Sequence, residues 1–287
     1  MQINRAIAIR TWLCIIAAFV AASPAVAADR AALVIGNSDY RHTPKLKNPR
    51  NDATDISASL KRLGFKVVAG YDLTKKAMEA KVWEFSDIAR NADTALLFYS
   101  GHGMQLAGRN YLLPVDARLD KAASVEDETV PFDFIQAILQ VAKKNNIIIL
   151  DACRNNPLRA RYVDTVSRSV GSSAVVGLRP GLAKIGAARA NTIVSFSTQP
   201  DNVALDGAGR NSPYTAALLK FIDRQDLDIA SVFVEVRKDV IRQTNAAQVP
   251  WENSSLTGQF YFRRRNFATP GAMEPMSCLL YTSPSPR

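Results

Sequence analysis

The chain has 287 residues, 47% of them hydrophobic and 22% charged, with a formal net charge of +10 at pH 7. That is enough apolar material for one full α/β core, and it excludes a wholly disordered polyelectrolyte. The basic residues are scattered, Arg263-Arg264-Arg265 being the one tight run, and no aromatic residues interleave with them as a nucleic-acid groove would require, so no nucleic-acid partner is expected.

Arg5 and Arg10 precede an apolar run from Trp12 to Ala22, which Ser23-Pro24 breaks before the small residues Ala25-Val26-Ala27. This is the order of parts in a secretory signal, residues 1–27, and the run is too short to span a bilayer unaided. The protein is expected to be exported, periplasmic or secreted, with no stable membrane insertion after signal removal; an uncleaved N-terminal anchor is the alternative. Thr11-Trp12-Leu13 before Cys14 does not form a lipoprotein cleavage box. Residues 28–265 carry the periodic pattern of a folded domain, and 266–287 read as an unstructured tail. Within it, residues 277–287 resemble translated adapter sequence more than native protein.

Ala31 to Ile35 is a continuous apolar run ending at Gly36, the pattern of a strand buried on both faces. Ala53, Ile56, Leu60 and Leu63 recur at helical spacing and stop at Gly64. Phe65 to Ala69 predicts a second strand, and Met78, Val82, Phe85 and Ile88 a second amphipathic helix. Thr94 to Tyr99 is a third strand, leading into Ser100-Gly101-His102-Gly103. Tyr111 to Val115 is a short extended piece, Phe134 to Leu139 a helix, and Ile147 to Leu150 a fourth strand ending at Asp151-Ala152-Cys153. A Gly-, Ser- and Arg-rich loop runs from Arg154 to Ala190, followed by strand five from Thr192 to Ser197. Helices are expected over Tyr214 to Ile222 and Ile229 to Gln243, with Gln259 to Phe262 closing the sheet. The alternation predicts an α/β fold, a three-layer α/β/α sandwich on a mostly parallel, roughly six-stranded sheet. In such sheets chemistry gathers beyond the carboxyl ends of the strands, where both Gly101-His102-Gly103 and Asp151-Ala152-Cys153 fall.

Of three cysteines, Cys14 lies in the signal and Cys278 in the tail, so Cys153 is the one thiol of the mature body. In an oxidising compartment a lone cysteine is either packed or reactive, and composition does not decide which. A thiol becomes a good nucleophile when an imidazole accepts its proton and later returns it to the leaving amine. There are two histidines. His42 lies in a polar loop among Arg41, Lys45 and Lys47, whereas His102 follows a buried strand between glycines that admit a substrate backbone. His102 is the better partner for Cys153.

Leu97-Phe98-Tyr99-Ser100-Gly101-His102-Gly103 resembles the histidine motif of the caspase-like peptidases, and Leu150-Asp151-Ala152-Cys153-Arg154-Asn155 resembles their cysteine motif. Positions 102 and 153 are 51 apart, and in caspases the histidine lies about 50 residues upstream of the cysteine. The likeness runs from Arg30 to Phe262. Within the superfamily, Ile35-Gly36-Asn37 with Tyr40, Pro44-Lys45-Leu46-Lys47 and Leu112-Leu113-Pro114-Val115-Asp116-Ala117 resemble the paracaspases and bacterial orthocaspases, and Asp151-Ala152 stands where animal caspases carry Gln-Ala.

The resemblance implies the caspase-hemoglobinase fold and a cysteine endopeptidase with His102 and Cys153 as its dyad. It implies the amides of Gly103 and Cys153 as the oxyanion hole, and Asp52, Asp151 and Asp206 as the first specificity pocket. Acids there imply cleavage after arginine, with lysine second, because a guanidinium offers carboxylates paired donors. For Asp52 a favourable position in the first turn of a helix is the alternative, and for Asp206 an ordinary turn beside Gly207. The expected partners are proteins or peptides with arginine or lysine at the cleavage site, and self-processing within 154–190 would follow from the same preference. No cofactor and no metal are expected. A caspase-like pseudoenzyme serving as a binding or scaffold module is the rival of another class, although this chain keeps both dyad residues.

Overall fold

The computed structural model describes residues 29–120, 122–152, 182–183, 185, 190–199, 202 and 204–264. Its elements in chain order begin with β1 (Arg30–Gly36), α1 (Pro49–Arg62), β2 (Phe65–Tyr71), α2 (Lys75–Ala89) and β3 (Thr94–Ser100). A small antiparallel unit follows, with β4 (Gly103–Leu106), β5 (Arg109–Leu112), a short α3 (Val125–Glu128) and β6 (Val130–Pro131). Then come α4 (Phe132–Leu139), β7 (Asn145–Asp151), β8 (Thr192–Phe196), α5 (Pro213–Phe221), α6 (Ile229–Gln243) and β9 (Trp251–Ser254).

The main sheet runs β2-β1-β3-β7-β8-β9, parallel except for β9. All seven residues of β3 are buried, as a central strand covered on both faces requires. Side chains alternate between two cores. Leu97, Tyr99, Ile148 and Leu150 pack with α2 and α4, whereas Leu96, Phe98, Ile147 and Ile149 pack with α1, α5 and α6. The expected three layers are present.

The chain moves outward from β1 to β2 and returns to place β3 on the other side of β1, so the strand order reverses between β1 and β3. In open α/β sheets, loops leaving such a point diverge at the carboxyl edge, where ligands commonly bind. In register, Gly36 of β1, Ser100 of β3 and Asp151 of β7 form one row along that edge. Gly36 also lets α1 approach closely, since a Cβ there would lie 2.3 Å from the Pro49 carbonyl oxygen.

The small antiparallel sheet and the last strand depart from the sequence reading. Where that sheet forms, only an extended piece over Tyr111 to Val115 is expected, and β5 runs Arg109–Leu112. Gln259 to Phe262 does not close the sheet; Trp251–Ser254 does, antiparallel to β8, and Tyr261 makes only an isolated bridge to Asp228. The alternating aromatics that suggest a strand are core residues instead. Phe260 and Phe262 are buried, with rings 5.1 Å apart, and the Arg30 guanidinium donates to the Tyr261 and Phe262 carbonyls at 3.0 and 2.7 Å. The true edge strand is mostly solvent-facing, so Trp-Glu-Asn-Ser carries no apolar run to announce it.

Candidate active site

His102 sits two residues beyond β3 and is 5% exposed. Its Nε2 lies 2.8 Å from the Pro44 carbonyl oxygen. A carbonyl only accepts, so Nε2 carries the proton of the neutral ring and Nδ1 is the basic nitrogen. The backbone around it is held from both sides. The His102 N–H donates to the Tyr40 hydroxyl at 2.7 Å, and the Tyr99 hydroxyl donates to the His102 carbonyl at 2.7 Å. Burial holds the Tyr99 phenol well above its ordinary pKa, so it stays a donor.

Gly103 opens β4 and faces Leu112. Because the Leu113 N–H takes the His102 carbonyl at 3.0 Å, the Gly103–Leu112 pair is the non-hydrogen-bonded kind, and the Gly103 N–H points away from β5. A Cβ on Gly103 would lie 3.5 Å from that of Ala152 and 3.0 Å from Leu182. The histidine loop therefore packs against the residue preceding Cys153, while Cys153 itself lies outside the described residues. So does most of 154–190, although Ala183 is pinned to Asn110 of β5 by bonds of 2.7 and 2.9 Å.

On the opposite face of the edge, two acids meet. Asp151 ends β7 and Asp52 lies in the first turn of α1, and both have 0% relative exposure. Asp52 accepts the Ser100 hydroxyl at 3.0 Å and the Ser212 N–H at 3.0 Å. Asp151 accepts the Ser212 hydroxyl and, at 2.8 Å, that of Thr215. Ser212 thus bridges the pair, and it also caps α5 by accepting the Thr215 N–H at 3.0 Å. Burial, then the negative charge of Asp151, pushes the Asp52 carboxyl up to about 8, against hydrogen bonds from Ser212, Ser100 and Asn211 that pull it down.

Asp206 occupies the loop after β8, where its carboxylate accepts the Lys47 N–H at 2.7 Å and Lys47 Nζ donates to the Ala208 carbonyl at 2.8 Å. It is half-buried, tied to the loop before α1 through Lys47 and Asn48. The strap from Arg41 to Asn48 spans the site, touching His102 through Pro44 and the Asp206 loop through Lys47 and Asn48. His42 lies on that strap. The Pro44 carbonyl and the hydroxyls of Ser100, Ser212 and Thr215 escaped the sequence reading. Among the described residues no cluster of three metal-ligating side chains occurs, and no helix is long and apolar enough to cross a membrane.

A family model for the caspase domain matches residues 29–261. Human mucosa-associated lymphoid tissue lymphoma translocation protein 1, a paracaspase, is 36% identical over 146 residues, 49% of this chain and 16% of that protein. Caspase-1 of Rattus norvegicus is 25% identical over 246 residues, 81% of this chain and 59% of that protein. The chain thus spans well under two thirds of either relative's length. The crystal structure of caspase-1 from Spodoptera frugiperda shares the fold, with a TM-score of 0.56 at 18% identity over 83% of this chain and 92% of that one. The chain belongs to the caspase-domain family of cysteine peptidases, peptidase C14.

Proposed function

We propose that the protein is an endopeptidase that cleaves after arginine, and less readily after lysine, with His102 as base and Cys153 as nucleophile. The observation that carries the reading is the buried Asp52–Asp151 pair on the same sheet edge as the histidine loop. Two carboxylates forced together out of water repel, and a guanidinium between them relieves that repulsion while giving each a paired acceptor role. Asp206, from the loop after β8, adds a third negative charge. Lysine supplies the charge without the planar fork and is the poorer fit.

His102 Nδ1 takes the thiol proton, and the thiolate attacks the carbonyl carbon after the arginine. The resulting oxyanion is met by the amides of Gly103 and Cys153. The amine leaves with the proton returned by the imidazolium, and water then hydrolyses the thioester to release the acid and the free thiol. The arginines of 154–190 fall in this specificity, which makes the loop a substrate in cis. Residues 1–27 are proposed to direct export to the periplasm or beyond.

Profiling a peptide library with the purified protein tests the reading. Cleavage after arginine that Cys153→Ala abolishes is the expected result. A preference for aspartate would remove the acid-pocket assignment, and a protein that neither cleaves nor reacts with an arginyl thiol-directed probe would be a scaffold.

A further inference from the structure

Tyr40 reaches His102 twice. Its hydroxyl accepts the His102 N–H at 2.7 Å, and its ring centroid lies 4.4 Å from that of the imidazole at 51°. The tyrosine is 2% exposed and comes from the loop after β1, across the strand-order reversal from the histidine. Gly101 makes room for the contact, since a Cβ there would meet the Tyr40 hydroxyl at 2.6 Å and the Tyr99 hydroxyl at 2.8 Å.

A plain β-ladder would have satisfied the same donor without any side chain. The Leu113 N–H already donates to the His102 carbonyl, and the reciprocal bond would run from the His102 N–H to the Leu113 carbonyl. That carbonyl instead accepts Asn37 Nδ2 at 3.0 Å, with the Tyr99 hydroxyl, whose shorter bond goes to the His102 carbonyl, at 3.1 Å and the Tyr40 hydroxyl at 3.4 Å, leaving the His102 N–H to Tyr40. The exchange brings an aromatic ring within 4.4 Å of the imidazole. An electron-rich π system at that range favours a cation over a neutral ring.

We propose that Tyr40 is a positioning residue for His102, fixing the loop through its hydroxyl and favouring the imidazolium form through its ring. The inference rests on reading His102 as the base. Other ionisable groups on the surrounding elements are Tyr99 on β3, Cys153 beyond β7, and, on the strap and the loop leading into it, Arg41, His42, Lys47 and the ion pair Lys45–Asp39.

With two histidines in the chain, the imidazole is accessible to NMR titration in the full-length Cys153→Ala protein, with His42→Gln giving the assignment. This readout needs no peptidase activity, so it separates the fate of Tyr40 from that of the proposed reaction. Tyr40→Leu is expected to lower the His102 midpoint by about half a pH unit, whereas Tyr40→Phe, which keeps the ring, holds it. In the active protein, Tyr40→Leu is expected to lower kcat about tenfold with KM within about twofold, and Tyr40→Phe, which keeps the ring but leaves the His102 N–H without its acceptor, to recover only part of the loss. Unchanged midpoints in both variants, or a loss confined to KM, would overturn the proposal. Should Tyr40→Leu fail to fold, phenylalanine and pentafluorophenylalanine at position 40, alike in shape and opposite in ring polarity, read the same shift; equal midpoints there would sink it too.

Discussion

The two ends of the candidate site are built on opposite principles. Around His102, donors meet acceptors of ordinary strength: the Pro44 carbonyl on Nε2, the Tyr40 hydroxyl on the N–H, the Tyr99 hydroxyl on the carbonyl. Around Asp52 and Asp151, neutral hydroxyls and an N–H hold two buried carboxyls, and burial, then the charge of Asp151, drives Asp52 up to about 8. On the proposed reading, the acid end is held in a state that an incoming arginine would improve, which would turn the cost of burying two acids into selectivity.

Breaking the histidine end should remove chemistry and leave binding. Cys153→Ala and His102→Ala are each expected to lower kcat/KM toward arginyl substrates by about a thousandfold or more. The Cys153→Ala protein should still bind an arginyl peptide, as fluorescence anisotropy would register; lost binding would mean that the two ends are not separable. Breaking the acid end should do the reverse. Asp151→Asn is expected to lower kcat/KM for arginine by about a hundredfold, since it leaves a buried guanidinium short of a partner. Reaction of Cys153 with a small uncharged thiol reagent should persist in that variant, and its loss would show that the acid also serves the dyad.

The comparison sharpens in stability. An Asp52 carboxyl near 8 in the folded state, against an ordinary 3.8, means that the folded protein holds one more proton than the unfolded chain between those values. Stability from this group is therefore greatest at low pH and is lost as pH rises from about 4 through 8. Asp52→Asn should flatten that slope and raise Tm at pH 8–9, read by differential scanning fluorimetry, while arginine cleavage falls. Parallel slopes in the two proteins would mean that the acids do not repel as their placement implies. The smallest effect is local: Ser212→Ala should cost about 1–3 kcal/mol of stability, through a lost helix cap and a lost buried acceptor pairing.

Much of this arrangement is legible in the sequence, for identifiable reasons. Continuous apolar runs such as Ala31 to Ile35 and Ile147 to Leu150 have one good use, a strand buried on both faces, and the glycines around His102 mark where the backbone turns. Asp151 could be placed at the edge because it ends a strand, whereas Asp52 joined it only through the resemblance to the paracaspase motifs. What stayed hidden is of two kinds. A backbone carbonyl, such as that of Pro44, has no letter of its own, so the partner of Nε2 cannot be read from residue types. Ser212 and Thr215 look like ordinary helix-start residues; their second role appears only once α5 is docked against β7. The edge strand Trp251–Ser254 failed for the converse reason, because solvent on its outer side left it without the hydrophobic signature that Phe260 and Phe262 display as core residues.

Ser212 carries a consequence for anyone wishing to reverse the pocket's charge. One residue joins Asp52 through its amide, Asp151 through its hydroxyl and the first turn of α5 through its oxygen. Basic residues installed in place of the acids would find that hydroxyl oriented as a donor toward them, with its oxygen already committed to the helix. A switch to acidic substrates would accordingly need at least three coordinated changes, and the intermediates would pass through proteins with a frayed helix or a half-neutralised pocket. If the proposed preference for arginine holds, the architecture itself guards it against drift one substitution at a time.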